Sequence, residues 1–74
     1  MDKSTSKQIN FIMDRVQVVG TPHMVEVLKK EGSLPHLEEL DRWTASMLID
    51  AINSQDDAVF NDAYYGYQVY GENI

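Results

Sequence analysis

Few residues in this chain have the type and spacing that chemistry requires. His23 and His36 are the only histidines. Neither has a ligand type four residues on, so the helical metal-binding spacing is absent. Packing or surface roles outweigh a general-base role for both. Ser46 has no Gly-x-Ser-x-Gly setting. Its small side chain suits close packing or a bond back to a helical carbonyl. Asp56-Asp57-x4-Asp62 lacks the glycine and terminal Glu of a calcium loop, which leaves capping and solvation as its roles. No glycine loop fit to cradle phosphate is present. The expectation is a protein that is not an enzyme, with no catalytic residue, no cofactor and no metal site.

Aromatic residues carry more information. Tyr64, Tyr65, Tyr67 and Tyr70 follow Phe60, and Asp56, Asp57, Asp62 and Glu72 flank them. Phe60 and one or two tyrosines can cover a small core, but a domain this size has little room for all four. Tyrosine offers a rigid contact area with a hydroxyl attached, which suits protein interfaces. Platforms for single-stranded nucleic acid interleave aromatics with Lys or Arg; here the interleaved charges are acidic. The contact set is therefore Asp56, Asp57, Phe60, Asp62, Tyr64, Tyr65, Tyr67 and Tyr70. Trp43 joins it as either a core residue or an exposed anchor. The alternative is direct nucleic-acid binding by Lys3, Lys7, Arg15, Lys29, Lys30 and Arg42. A third reading has Phe11, Val18 and Trp43 forming a homo-oligomer interface.

Net charge is −6 over 74 residues, and it is unevenly placed. Residues 1–30 hold five Lys/Arg against three acids, +2, whereas residues 31–74 hold one Arg against nine acids, −8. An acidic half repels phosphate and attracts basic surfaces. The same charges also serve as a solvated surface that maintains solubility. Cysteine is absent, so neither disulfides nor thiolate metal sites can supplement a modest core. No apolar run is long enough to span a bilayer, and the first residues lead into a polar-faced helix and not a signal segment. The expectation is a cytoplasmic protein with no membrane contact.

The elements that must position these residues read as helices. Ile9, Ile12, Met13, Val16 and Val19 recur at helical spacing behind candidate caps Ser4, Thr5 and Ser6, and Gly20 stands where a C′ glycine belongs. Gln8 is read as solvent-facing or locally bonded. Thr21-Pro22 restarts a short helix in which Met24, Val25 and Leu28 share a face, with Val27 to one side; Gly32 ends it. Pro35 makes Ser33–Glu38 an extended or turn-like connector, with Leu34 and Leu37 tucked into the core. Asp41 caps the next helix. Leu40 staples to Ala45, and Ala45, Leu48, Ile49 and Ile52 line one side. Asp56 or Asp57 can cap a fourth segment, after which Tyr65 to Gly71 loses helical period and fits an extended strip. The fold class is all-α: three helices (about 6–19, 22–31 and 42–53), a short fourth (about 56–64) and a Tyr-rich tail. It is one domain over 1–74, with a helical core at 4–53 and an acidic tail at 54–74.

Thr5-x2-Gln8 and Glu39-Leu40-Asp41-Arg42-x2-Ala45-Ser46-x-Leu48-Ile49-Asp50 together resemble a small helical module. That module is appended to phage and bacterial DNA-metabolism proteins, single-strand annealing recombinases among them. Its pattern is T-x-x-Q followed by E-L-T-[KR]-x-x-A-S-x-L-I-D. Asp41 replaces the usual capping Thr, Thr44 replaces the Glu of the capping box, and nothing after Ser54 has a counterpart. The resemblance implies a compact helical fold and a role near nucleic-acid machinery, and it transfers no catalytic residue. The resulting expectation is a small phage-like accessory protein that binds another protein, basic and nucleic-acid-associated. An inhibitor of a host defence nuclease, of anti-CRISPR or DNA-mimic type, is its specific form.

Overall fold

A computed structural model of the chain describes residues 2–66. Among these, five helices follow one another: α1 (Ser6–Val19), α2 (Pro22–Lys29), α3 (Ser33–Glu39), α4 (Arg42–Ser54) and α5 (Asp57–Tyr65). No β-strand longer than an isolated bridge occurs among them.

Local capping chemistry sets most of the helix starts. Thr5 and Gln8 form a full capping box on α1, in which each side chain satisfies the other's backbone N–H. Thr21, Asp41 and Asp56 each accept from the third residue beyond (Met24, Thr44 and Val59). Thr44 lacks the carboxylate that would complete a box on α4, so that cap is one-sided.

Helix α3 corrects the reading of Ser33–Glu38 as a connector. Pro35 is only its third residue, where a missing N–H removes no intrahelical bond. Gly32, at φ 90°, supplies the left-handed turn that starts it. Gly32 therefore opens α3 and does not close α2, which stops at Lys29, two residues short of expectation. Leu37 reaches the core, but Leu34 stays 47% exposed. Gly20 is not a left-handed C′ glycine either, since its φ is −68°. A side chain there would overlap the Val16 carbonyl and its Cγ2, so close approach is what calls for glycine.

Helix α4 is the centre, packed chiefly against α1 on one flank and α5 on the other. Ile12, Met24, Leu37, Leu48, Ile52 and Phe60 are the largest fully buried side chains. On α2 the buried residues are Met24, Val27 and Leu28, with Val25 only half-buried, because α2 contacts α1, α3 and α5 and buries a broader face than one stripe.

Helices α1 and α4 run parallel. Gln8 Nε2 donates to Ser46 Oγ (3.3 Å) and Arg15 Nε to Asn53 Oδ1 (2.8 Å), the same 38-residue offset twice. Gln55 closes the far end by donating its side-chain amide to the Val19 carbonyl at 2.8 Å. That bond accompanies a left-handed φ of 56° at Gln55, a conformation disfavoured for non-glycine residues. At the near end the N-terminal segment forms an antiparallel bridge with the α3–α4 junction. Ser4 N–H donates to the Leu40 carbonyl (2.7 Å) and Arg42 N–H to the Asp2 carbonyl (3.0 Å).

Candidate interaction surface

The residues singled out for partner binding divide once the chain is folded. Phe60 has no exposed surface and Tyr64 is 7% exposed. Their rings stack at 5.7 Å with an interplanar angle of 4°. Helix periodicity explains this: Phe60, Ala63 and Tyr64 fall on the buried side of α5. Phe60 and Tyr64 are core residues and do not belong to a contact surface. Burial, reinforced by neighbouring Tyr65, raises the Tyr64 phenol above its ordinary 10.0, so its hydroxyl remains neutral. Tyr65 is helical, the last residue of α5, and is 43% exposed. Gly66 caps α5 in the left-handed region, so neither begins an extended strip. Tyr67 and Tyr70 lie outside the described residues.

The carboxylates retain their exposure but differ in role. Asp56 Oδ1 accepts from Val59 N–H at 3.1 Å as the cap of α5. Asp57 Oδ1 accepts from the Thr21 hydroxyl at 2.6 Å, which ties the start of α5 to the start of α2. Asp62 is half-buried, one turn before Tyr65, and shares its outer side with Tyr65. Among the described residues, none of these three carboxylates has a Lys or Arg partner. The two ion pairs found there are Lys3–Glu39 (2.7 Å) and Arg42–Asp2 (3.2 Å), both exposed.

Those pairs bear on the basic set as well. Lys3 and Arg42 brace the N-terminal segment against the α3–α4 junction, and Arg15 bonds Asn53 across the helix pair. Lys3 also holds the Glu39 carboxyl below its ordinary range through their hydrogen bond. Lys7 stands near the start of α1, whereas Lys29 and Lys30 stand at the end of α2.

Both histidines have packing roles. His23 Nε2 donates to Asn61 Oδ1 at 2.6 Å, and its ring meets Phe60 edge-on at 6.0 Å. His36 Nε2 donates to the Tyr64 carbonyl near the end of α5, where the open carbonyls of a helix terminus need donors. Among the described residues no group of three or more His, Asp or Glu side chains is placed to hold a metal ion. Ser46 accepts from Gln8, which makes it part of the α1–α4 seam.

Two shallow clefts accompany this arrangement. One, of about 390 Å³, opens between α1 and α2 over Met13, Val16, Val25 and Leu28, with Lys29 at its edge. The other, of about 330 Å³, lies among Val27, the Lys30–Gly32 turn, His36 and Tyr64–Tyr65. Trp43 is 76% exposed on the first turn of α4, and so is an exposed residue and not a core one. The residues behind the T-x-x-Q resemblance turn out to be fold-building: Thr5 and Gln8 cap α1, and Gln8 also grips the start of α4 through the Arg42 carbonyl (3.2 Å). The bond of Gln8 to Thr5 is local, but its partners on α4 lie more than thirty residues away, where helical periodicity does not reach.

No family model matches the chain, and comparison with curated proteins and with solved structures returns no significant match. No helix among the described residues is long and apolar enough to cross a membrane.

Proposed function

We propose that this chain is a small non-catalytic accessory protein that binds a basic, nucleic-acid-associated protein through the acidic outer side of α5. The observation that carries this reading is the set of exposed or half-exposed carboxylates at Asp56, Asp57 and Asp62, with no cation among the described residues to neutralise them. Tyr65 adds an aromatic contact beside Asp62. Charge of one sign speeds encounter with an oppositely charged partner and sets its orientation. The resemblance of residues 4–53 to a module of phage DNA-metabolism proteins supports a partner of that kind. An inhibitor of a defence nuclease, of DNA-mimic type, is the specific form of the proposal.

The test begins with capture of a partner from host lysate by the tagged chain, followed by affinity measurements on the purified pair. Asp57→Asn with Asp62→Asn removes two charges, while the amide introduced by Asp57→Asn keeps an oxygen to which the Thr21 hydroxyl can donate. Binding should weaken roughly tenfold or more and depend on salt. Unchanged affinity would sink the assignment. Direct binding of single- or double-stranded DNA by the chain alone, falling steeply with salt, would replace it with the nucleic-acid reading.

A further inference from the structure

We propose that the outer face of the α1–α4 pair is a self-association surface that receives a second copy of this chain in a two-fold dimer. It lies on other helices than α5 and does not rest on the proposed function.

The parallel register of α1 and α4 places one set of side chains on one side of the molecule. At 100° per residue, Lys7, Phe11, Asp14 and Val18 occupy a sector of about 60° on α1. That sector lies beyond the seam marked by Gln8 and Arg15 and away from the buried stripe of Ile9, Ile12 and Val16. On α4, Trp43 and Asp50 project from the corresponding side, beyond the seam marked by Ser46 and Asn53. Phe11, Val18 and Trp43 are 44%, 73% and 76% exposed. They are three of the five large exposed hydrophobics among the described residues, and they extend over about 20 Å of helix at 1.5 Å per residue.

Charge selects the occupant. Lys7 on this face and Arg15 at its seam edge contribute two positive charges, Asp14 and Asp50 two negative ones, and all four are exposed. With that edge included the face is electroneutral, in a chain of net charge −6. A strongly charged partner finds no complement here. A second copy meets both signs, and a two-fold axis can set the cations of each copy against the anions of the other. The aromatic and aliphatic residues would fill the centre and the charges the rim, the usual anatomy of an interface. A domain this small has a modest core, so association also adds buried area that folding alone cannot supply.

Sedimentation equilibrium on the full chain, from micromolar to millimolar concentration, should show a monomer passing to a dimer. Phe11→Ala with Trp43→Ala should leave a monomer whose helical circular dichroism is unchanged. Lys7→Glu with Arg15→Glu, and Asp14→Lys with Asp50→Lys, should each weaken the dimer at least roughly tenfold when alone. An equimolar mixture of those two charge variants should recover it. A wild-type chain that stays monomeric throughout, forms assemblies larger than a dimer, or dimerises unaffected by the charge variants would overturn the proposal.

Discussion

Replacing Gln8 by Ala would remove three side-chain hydrogen bonds that serve two helices. Its Oε1 accepts from Thr5 N–H at 3.0 Å, completing the cap of α1. Its Nε2 donates to the Arg42 carbonyl at 3.2 Å and to Ser46 Oγ at 3.3 Å, joining the first turns of α1 and α4. A net intramolecular hydrogen bond contributes about 0.5–1.5 kcal/mol, and these three, long and partly solvated, belong at the low end. Gln8→Ala should therefore cost about 1–2 kcal/mol. A chain this size has total stability on the order of 4–11 kcal/mol. With a urea slope of about 1 kcal/mol per molar, the unfolding midpoint should fall by roughly 1–2 M. Gln8→Glu isolates the clamp from the cap: it keeps an acceptor for Thr5 and gains about 0.3–1 kcal/mol from the helix dipole, but has no donor for Arg42 or Ser46. Its midpoint should lie between those of wild type and Gln8→Ala. Urea titrations followed by helical circular dichroism measure both. A Gln8→Ala midpoint within error of wild type, or a Gln8→Glu chain more stable than wild type, would refute the clamp.

Phe60→Ala should cost about 3–5 kcal/mol, the range for emptying a buried aromatic site, and leave the chain near the limit of folding in water. A wild-type urea midpoint for that variant would show that Phe60 is not in the core. Acid should weaken the fold through Asp41 and Glu39. The Thr44 N–H hydrogen-bonded to Asp41 holds that carboxyl below its ordinary 3.8, and Lys3 holds Glu39 below 4.5. Both are more acidic folded than unfolded, so their stabilisation is complete above those ordinary values and is lost as pH falls through the lowered ones. Asp41→Asn, which can still cap, should flatten that loss in melting temperature measured from neutral to acidic pH; an unchanged slope would refute the linkage.

The legible parts of this protein were those whose causes are local. Thr21-Pro22, Asp41 and Asp56 each act on an N–H three residues away, so their helix starts can be read directly from the chain. The apolar spacing of Ile9, Ile12 and Val16, and of Ala45, Leu48 and Ile52, likewise reports the buried stripes of α1 and α4. Pro35 misled because a proline breaks a helix only beyond its first turn, and whether a turn precedes it depends on Gly32 adopting a positive φ.

Of the candidate surface, the exposure of Asp56 follows from its capping position, whereas the bond of Asp57 to the Thr21 hydroxyl is a distant contact that no local pattern shows. Helical spacing puts Phe60 and Tyr64 on one side of α5 with Ala63, and the packing of α5 against α4 buries that side while Tyr65 stays half-exposed. The amino-acid sequence by itself determined the all-α class, four of the five helices with their N-caps, the apolar stripes and the acidic second half, since each depends on neighbours within about one helical turn. The tertiary structure alone decided the parallel pairing of α1 with α4, the bridge from Lys3 to Asp41, the double role of Gln8 and the exposure of Trp43. These contacts join residues far apart in the chain, where no local preference specifies which groups will meet.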